Sequence, residues 1–133
     1  MKPLGPIPAG FEAIDGELAI AGRTASDLIA EAGSTPAFVY SGELLRRRVA
    51  ELRAAMPERL GLHYAVKANP FLPLLKVMSE LVDGFDIASA GELGIVRQVG
   101  IDPALISFAG PGKRTAELEA ALLRSEERRV GKE

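Results

Sequence analysis

LHYAVKANPFLPLLKVMSELVDGFDIASAGELGIVRQVGIDPALISF, residues 62–108, places three short apolar runs about 20 residues apart: Leu62 to Val66, Phe85 to Ala88 and Leu105 to Phe108. The gaps carry a different period. Leu74, Leu75, Val77, Met78, Leu81 and Val82 lead to Gly84, and Leu93, Val96 and Val99 lead to Gly100. Runs of strand length alternating with helical stretches give a βαβαβ rhythm, with each glycine read as a helix stop. Such a chain folds as a parallel sheet with right-handed crossovers, and its chemistry belongs at the C-terminal ends of the strands. The residues just after each apolar run are therefore the ones to inspect.

Working back towards the N-terminus, Ser41 caps a helix that carries Leu45, Val49, Leu52 and Met56 on one stripe and stops at Pro57. Ala37 to Tyr40 reads as a short strand after Pro36. Ala25 to Ala32 reads as a short helix ended by Gly33, and Phe11 to Ile20 as a hairpin turning at Asp15 and Gly16.

The 133 residues are 47% hydrophobic and 26% charged, which is the composition of a soluble globular protein. Sixteen basic side chains against eighteen acidic ones, a net charge of -2, build no broad positive field, so nucleic acid and anionic membranes are excluded as partners. There is no cysteine and one histidine, His63, which excludes disulfides, a thiolate nucleophile and any zinc site of the usual ligands; no metal is expected. Residues 1–10 hold Pro3, Pro6 and Pro8 instead of the apolar run of a secretory signal, and no stretch reaches the roughly 18 apolar residues of a membrane span. The expected location is the cytoplasm.

Three places carry candidate chemistry. Lys67 follows the first run, in Tyr64-Ala65-Val66-Lys67-Ala68-Asn69-Pro70. A lysine at a strand end is often a snorkelling surface residue. Here strand alternation puts it on the face of Ala65 and His63, with room above the alanine for a ring, and a partly desolvated lysine is the residue type that attacks an aldehyde to form a Schiff base. Asp86 interrupts the second apolar run, where an acid must be paired; it either closes a structural network or serves the site. Ser89 and Glu92 have the S-x-x-E spacing of a capping box, a sufficient structural reason for both, although a helix start at a strand end also lies close to any bound cofactor. Ser107-Phe108-Ala109-Gly110-Pro111-Gly112-Lys113-Arg114 is glycine-rich and basic but lacks the first glycine and the hydroxyl of a Walker loop, and reads as a turn before a helix capped by Thr115. His63, with no second metal-binding residue beside it, reads as a satisfied interior histidine.

These motifs resemble the fold-type III pyridoxal phosphate decarboxylases, the family of diaminopimelate, ornithine and arginine decarboxylases. The likeness runs from about Thr35 to Leu123 and rests on Tyr64 to Asn69, similar to the family's Y-A-V-K-A-N setting, and on Gly84 to Leu93, similar to G-F-D-x-x-S-x-x-E-L. Thr35 to Tyr40 looks like the family's T-P-x-x-V-Y entry segment. Ile106 to Lys113 looks like the third-strand segment of the branch found with bacterial exopolysaccharide and exosortase genes.

The resemblance implies the N-terminal part of a (β/α)8 barrel over residues 37–123, after an extension at 1–36, with pyridoxal 5'-phosphate at the barrel mouth. By position, Lys67 is the Schiff-base lysine and the catalytic residue, Asp86 lies near it and the cofactor, and Ser89 and Glu92 support the wall of the cofactor site. The implied reaction is decarboxylation of an amino acid, and full-length relatives are expected to be homodimers. A racemase or cofactor-carrying barrel of the same fold type, and a non-functional truncated fragment, are the alternatives; Asn69 and Pro70 after the lysine differ from the A-Y-G-H-G type run of racemases. The last ten residues, RSEERRVGKE, 124–133, read either as a solvated helix end or as the translation of a common short-read sequencing adapter. The second reading sets them apart as a non-native tail and the chain as a truncated product, which on its own is expected to be inactive.

Overall fold

Short loops and glycine turns give this chain its local structure, and the structure, a computed structural model, describes residues 5–109. Two compact units meet within one helix, the first running to Ala50 and the second starting at Glu51.

In the first unit, β1 (Phe11–Ile14) and β2 (Glu17–Ile20) form an antiparallel hairpin, with Phe11 opposite Ile20 and Ile14 opposite Glu17. The two turn residues, Asp15 and Gly16, take φ of 49° and 79°. Positive φ at both positions gives the turn whose twist matches a two-residue hairpin, and Asp-Gly is the pair that adopts it at least cost. A short β3 (Arg23–Thr24), which the sequence reading left out, adds to β2. Thr24 then caps α1 (Ala25–Ala32) by accepting the Asp27 N–H, and Gly33 closes that helix in the left-handed region.

The strand expected at Ala37 to Tyr40 does not form. Those residues are irregular, with Phe38 89% exposed, and no described strand pairs with them to take their hydrogen bonds. Ser41 caps α2 (Gly42–Ala55) as expected, its Oγ accepting the Leu44 N–H at 3.2 Å, but Val49 is the one buried residue of the expected stripe.

The second unit holds the parallel sheet. Its order is β4 (His63–Ala65), β5 (Gly84–Ile87) and β6 (Ile106–Phe108), joined by α3 (Leu72–Ser79) and α4 (Ala90–Val99). Side chains on the helix side of the strands meet those of the two helices. Leu74, Leu75, Met78, Phe85, Ile87, Leu93 and Val96 are all buried, and Tyr64 packs edge-on against Phe85 with ring centroids 6.0 Å apart. Gly100 closes α4 in the left-handed region as read. Gly84 does not close α3, which ends at Glu80 in ordinary right-handed geometry; Gly84 instead opens β5.

The reason for glycine at 84 is space. An added Cβ would stand 2.6 Å from the Leu105 carbonyl oxygen and 2.7 Å from His63 Cε1, so backbone and ring both occupy the place of a side chain. Gly84→Ala is expected to cost about 1–3 kcal/mol as an overpacked strand, read as a lower urea midpoint. An unchanged midpoint would show that β6 moves aside freely.

The lower edge of the sheet is tied by Asp83. Its N–H donates to the Leu62 carbonyl at 2.8 Å, while its Oδ2 accepts the Leu62 N–H at 2.6 Å and Arg53 Nη2 at 2.7 Å. The Leu62 N–H, then Arg53, hold the Asp83 carboxyl below the usual carboxylate range. A carboxyl depressed in the folded state stabilises fully above its unfolded value of about 3.9, and that contribution is lost as pH falls through the folded value. Melting curves of Asp83→Asn should therefore depend less on pH than the parent below about pH 4; parallel acid limbs would remove Asp83 from that role.

Candidate active site

Parallel register aligns one row of residues across the sheet. Ala65 pairs with Asp86 and Asp86 with Ser107, two positions above the pairing of His63 with Gly84. Residues in register share a face, and alternate residues along a strand return to it, so His63, Ala65, Asp86 and Ser107 stand together opposite the helix-packed face.

These side chains form one network. The Ser107 hydroxyl donates to Asp86 Oδ1, and His63 Nδ1 lies 3.3 Å from the same oxygen. The imidazole rests over Gly84, where any side chain would collide with it. His63 is thus not an interior histidine, as its lone position suggested: its side chain is 38% exposed and that of Asp86 41%, so the network opens to solvent and to any ligand on this face. Serine, histidine and aspartate also build nucleophilic triads, but there the hydroxyl must meet the imidazole. Here Ser107 gives its hydrogen to the Asp86 carboxylate and not to the imidazole.

Lys67 sits just beyond this row. The strand ends at Ala65, one residue short of the sequence reading, and Val66–Ala68 form a single 3-10 turn, so strand alternation no longer decides the direction of Lys67. What decides its place is the clamp around it. The Tyr64 hydroxyl donates to the Asn69 carbonyl at 3.1 Å, and Asn69 Oδ1 accepts the Phe71 N–H at 3.0 Å as α3 begins. Val66 is fully buried beneath the turn. Lys67 is exposed, and its amine makes no hydrogen bond or ion pair among the described residues.

Ser89 and Glu92 act at the start of α4. Ser89 Oγ accepts the Glu92 N–H at 3.2 Å, the cap its spacing predicted, while Glu92 Oε2 accepts the Ala88 N–H at 2.8 Å, one residue before the N-cap N–H that a capping box would use. Of the glycine-rich segment, Ser107 to Ala109 are described; Gly110 to Arg114, the Thr115 cap and the 124–133 tail lie outside the described residues.

A model of the pyridoxal-dependent decarboxylase pyridoxal-binding domain matches residues 43–129. The chain belongs to this family. A diaminopimelate decarboxylase of Aquifex aeolicus is 43% identical over 108 residues, 81% of this chain and 25% of that protein. A lysine/ornithine decarboxylase of Selenomonas ruminantium is 37% identical over 87 residues, 65% of this chain and 22% of that protein. The crystal structure of AQ1208 from Aquifex aeolicus superposes with a TM-score of 0.77 at 40% identity, covering 87% of this chain and 28% of the other. The chain thus spans about a quarter of the length of the decarboxylases it matches. Its β4-α3-β5-α4-β6 succession is the N-terminal part of the (β/α)8 barrel of the fold-type III decarboxylases.

Pyridoxal phosphate is the cofactor of this family, and the residues present suit it. A lysine amine without a partner among the described residues follows a strand's C-terminal end, small Ala65 stands two residues before it, and the carboxylate of Asp86, the register partner of Ala65, is half-exposed with one oxygen that meets no partner among the described residues.

Proposed function

We propose that this chain is the cofactor-holding part of a pyridoxal-phosphate-dependent amino-acid decarboxylase of the cytoplasm, with Lys67 as the residue that holds the cofactor by its aldehyde. The observation that carries this reading is that Lys67, whose amine has no partner among the described residues, follows the strand residue Ala65 that pairs with Asp86 at the C-terminal end of a parallel sheet, in a turn held by the Tyr64 hydroxyl, inside the segment matched to the pyridoxal-binding domain.

Pyridoxal phosphate, when bound, supplies an electron sink for the pair of electrons left behind as a carboxylate departs as carbon dioxide. The chain's own residues bind and orient. Lys67 contributes the nucleophilic amine, and the Tyr64–Asn69 clamp fixes the turn that presents it. Asp86 supplies a fixed negative charge on the same edge. Ser89 and Glu92 hold the first turn of α4 and so shape the wall of the site. Residues 37–123 are the first part of the barrel in this reading.

The relatives named above act on diaminopimelate or on lysine and ornithine, amino acids with a second amino group. The substrate proposed here is of that class. The product of the complete reading frame that contains these residues, loaded with pyridoxal phosphate, should release carbon dioxide from at least one such diamino acid. Racemisation of the substrate without carbon dioxide release would overturn the proposal.

A further inference from the structure

We infer that His63 is a positioning residue for the Asp86 carboxylate, an inference that rests on the reading of Asp86 as part of the cofactor site. Two donors, His63 Nδ1 and the Ser107 hydroxyl, reach the same oxygen, Asp86 Oδ1, from the two strands on either side. A carboxylate held at one oxygen from both sides cannot rotate without breaking a hydrogen bond. Its other oxygen, Oδ2, has no partner among the described residues and is the one left to meet a ligand.

The imidazole is itself held. Gly84 lies beneath it with no side chain to displace the ring, and the collision that any Cβ would make with Cε1 and Nε2 shows how closely the ring rests on the strand. A glycine in a strand weakens the strand, so its presence here marks a close approach that something needs. Nδ1 carries the hydrogen in this arrangement, because a charged carboxylate accepts only. Nε2 meets no acceptor among the described residues. His63 therefore holds the tautomer with hydrogen on Nδ1, which the bond to Asp86 selects. The same register that sets the row makes the device: His63 is two residues before Ala65 on β4, and Ala65 is the pairing partner of Asp86 on β5.

The test uses the product of the complete reading frame, loaded with cofactor and labelled with nitrogen-15 histidine, the His63 signal being assigned by its loss in His63→Asn. At about pH 9, above the ordinary histidine range, the nitrogen shifts should show hydrogen on Nδ1, and Asp86→Ala should move it to Nε2. A parent spectrum with hydrogen on Nε2 overturns the inference. Turnover gives a second readout. His63→Phe keeps a ring over Gly84 without a donor and should lower kcat about tenfold, the loss of one hydrogen bond to a charged group. His63→Asn, whose amide nitrogen falls near the place of Nδ1, should restore kcat to within about twofold of the parent at unchanged melting temperature. Equal losses in both variants would mean that the ring only packs, and would also overturn it. Failure of Lys67 to take the cofactor would sink the proposed function while leaving the tautomer result standing, so the two failures are distinguishable.

Discussion

Borohydride reduction of the cofactor-loaded protein is expected to leave the pyridoxyl mass on Lys67. The chain offers a second described lysine as a competitor, Lys76 in α3, but that residue lies on the exposed side of a helix whose other face is buried against the sheet. Of these two described lysines, Lys67 is the one that follows a strand of the parallel sheet, in a turn pinned at Tyr64, Asn69 and Phe71. A pinned turn matters because covalent capture needs the amine held at one place, and ordering a long flexible side chain only after encounter forfeits much of the advantage of proximity. Lys67→Ala should accordingly lower turnover by roughly 10³-fold or more, about 4 kcal/mol of barrier, with little change in melting temperature, since the side chain is exposed and makes no bond among the described residues. Label recovered in peptides other than the one spanning Lys67 would remove the assignment.

Asp86→Ala should lower turnover by about 10²-fold while shifting stability by no more than about 1 kcal/mol. The stability side follows from exposure. Removing an acceptor leaves His63 and Ser107 without their bond, but at 38% exposure the imidazole is reached by water, which replaces the lost partner. Were Asp86 only closing a buried network, the same substitution would strand two donors and cost several times more. Turnover and melting measured on one preparation separate the cases: preserved turnover with a sharply lowered melting temperature would make Asp86 structural. Asp86→Asn, which can still accept from Ser107, gives a check in which packing is kept and the charge alone is lost.

Much of this architecture was legible in residues 62–108. Three apolar runs at even spacing with helical patterns between them can bury their apolar faces only as a parallel sheet covered by helices, so element type and order followed from periodicity, and Lys67 and Asp86 stood out as charges where apolar residues were due. Capping was equally local: Ser89, Ser41 and Gly33 act on backbone groups within a few residues, and each does so as its type predicts. The Ala37 to Tyr40 segment shows the boundary of such reading, because a strand exists only with a neighbour, and propensity says nothing about whether one is present.

The sequence by itself therefore determined the βαβ order, the caps and the two charged residues that define the candidate site, since these depend on contacts between residues close along the chain. Only the tertiary structure decided that His63 and Ser107, 44 positions apart and separated by two helices, converge on one oxygen of Asp86, that Gly84 serves as the floor for an imidazole instead of a helix stop, and that Lys67 is directed by a 3-10 turn and not by strand alternation. The physical reason is register: which residue of one parallel strand lies beside which residue of the next is set by hydrogen bonds across the sheet and by the packing of the helices between them, and a shift of one residue would turn Asp86 to the helix side and separate it from both donors.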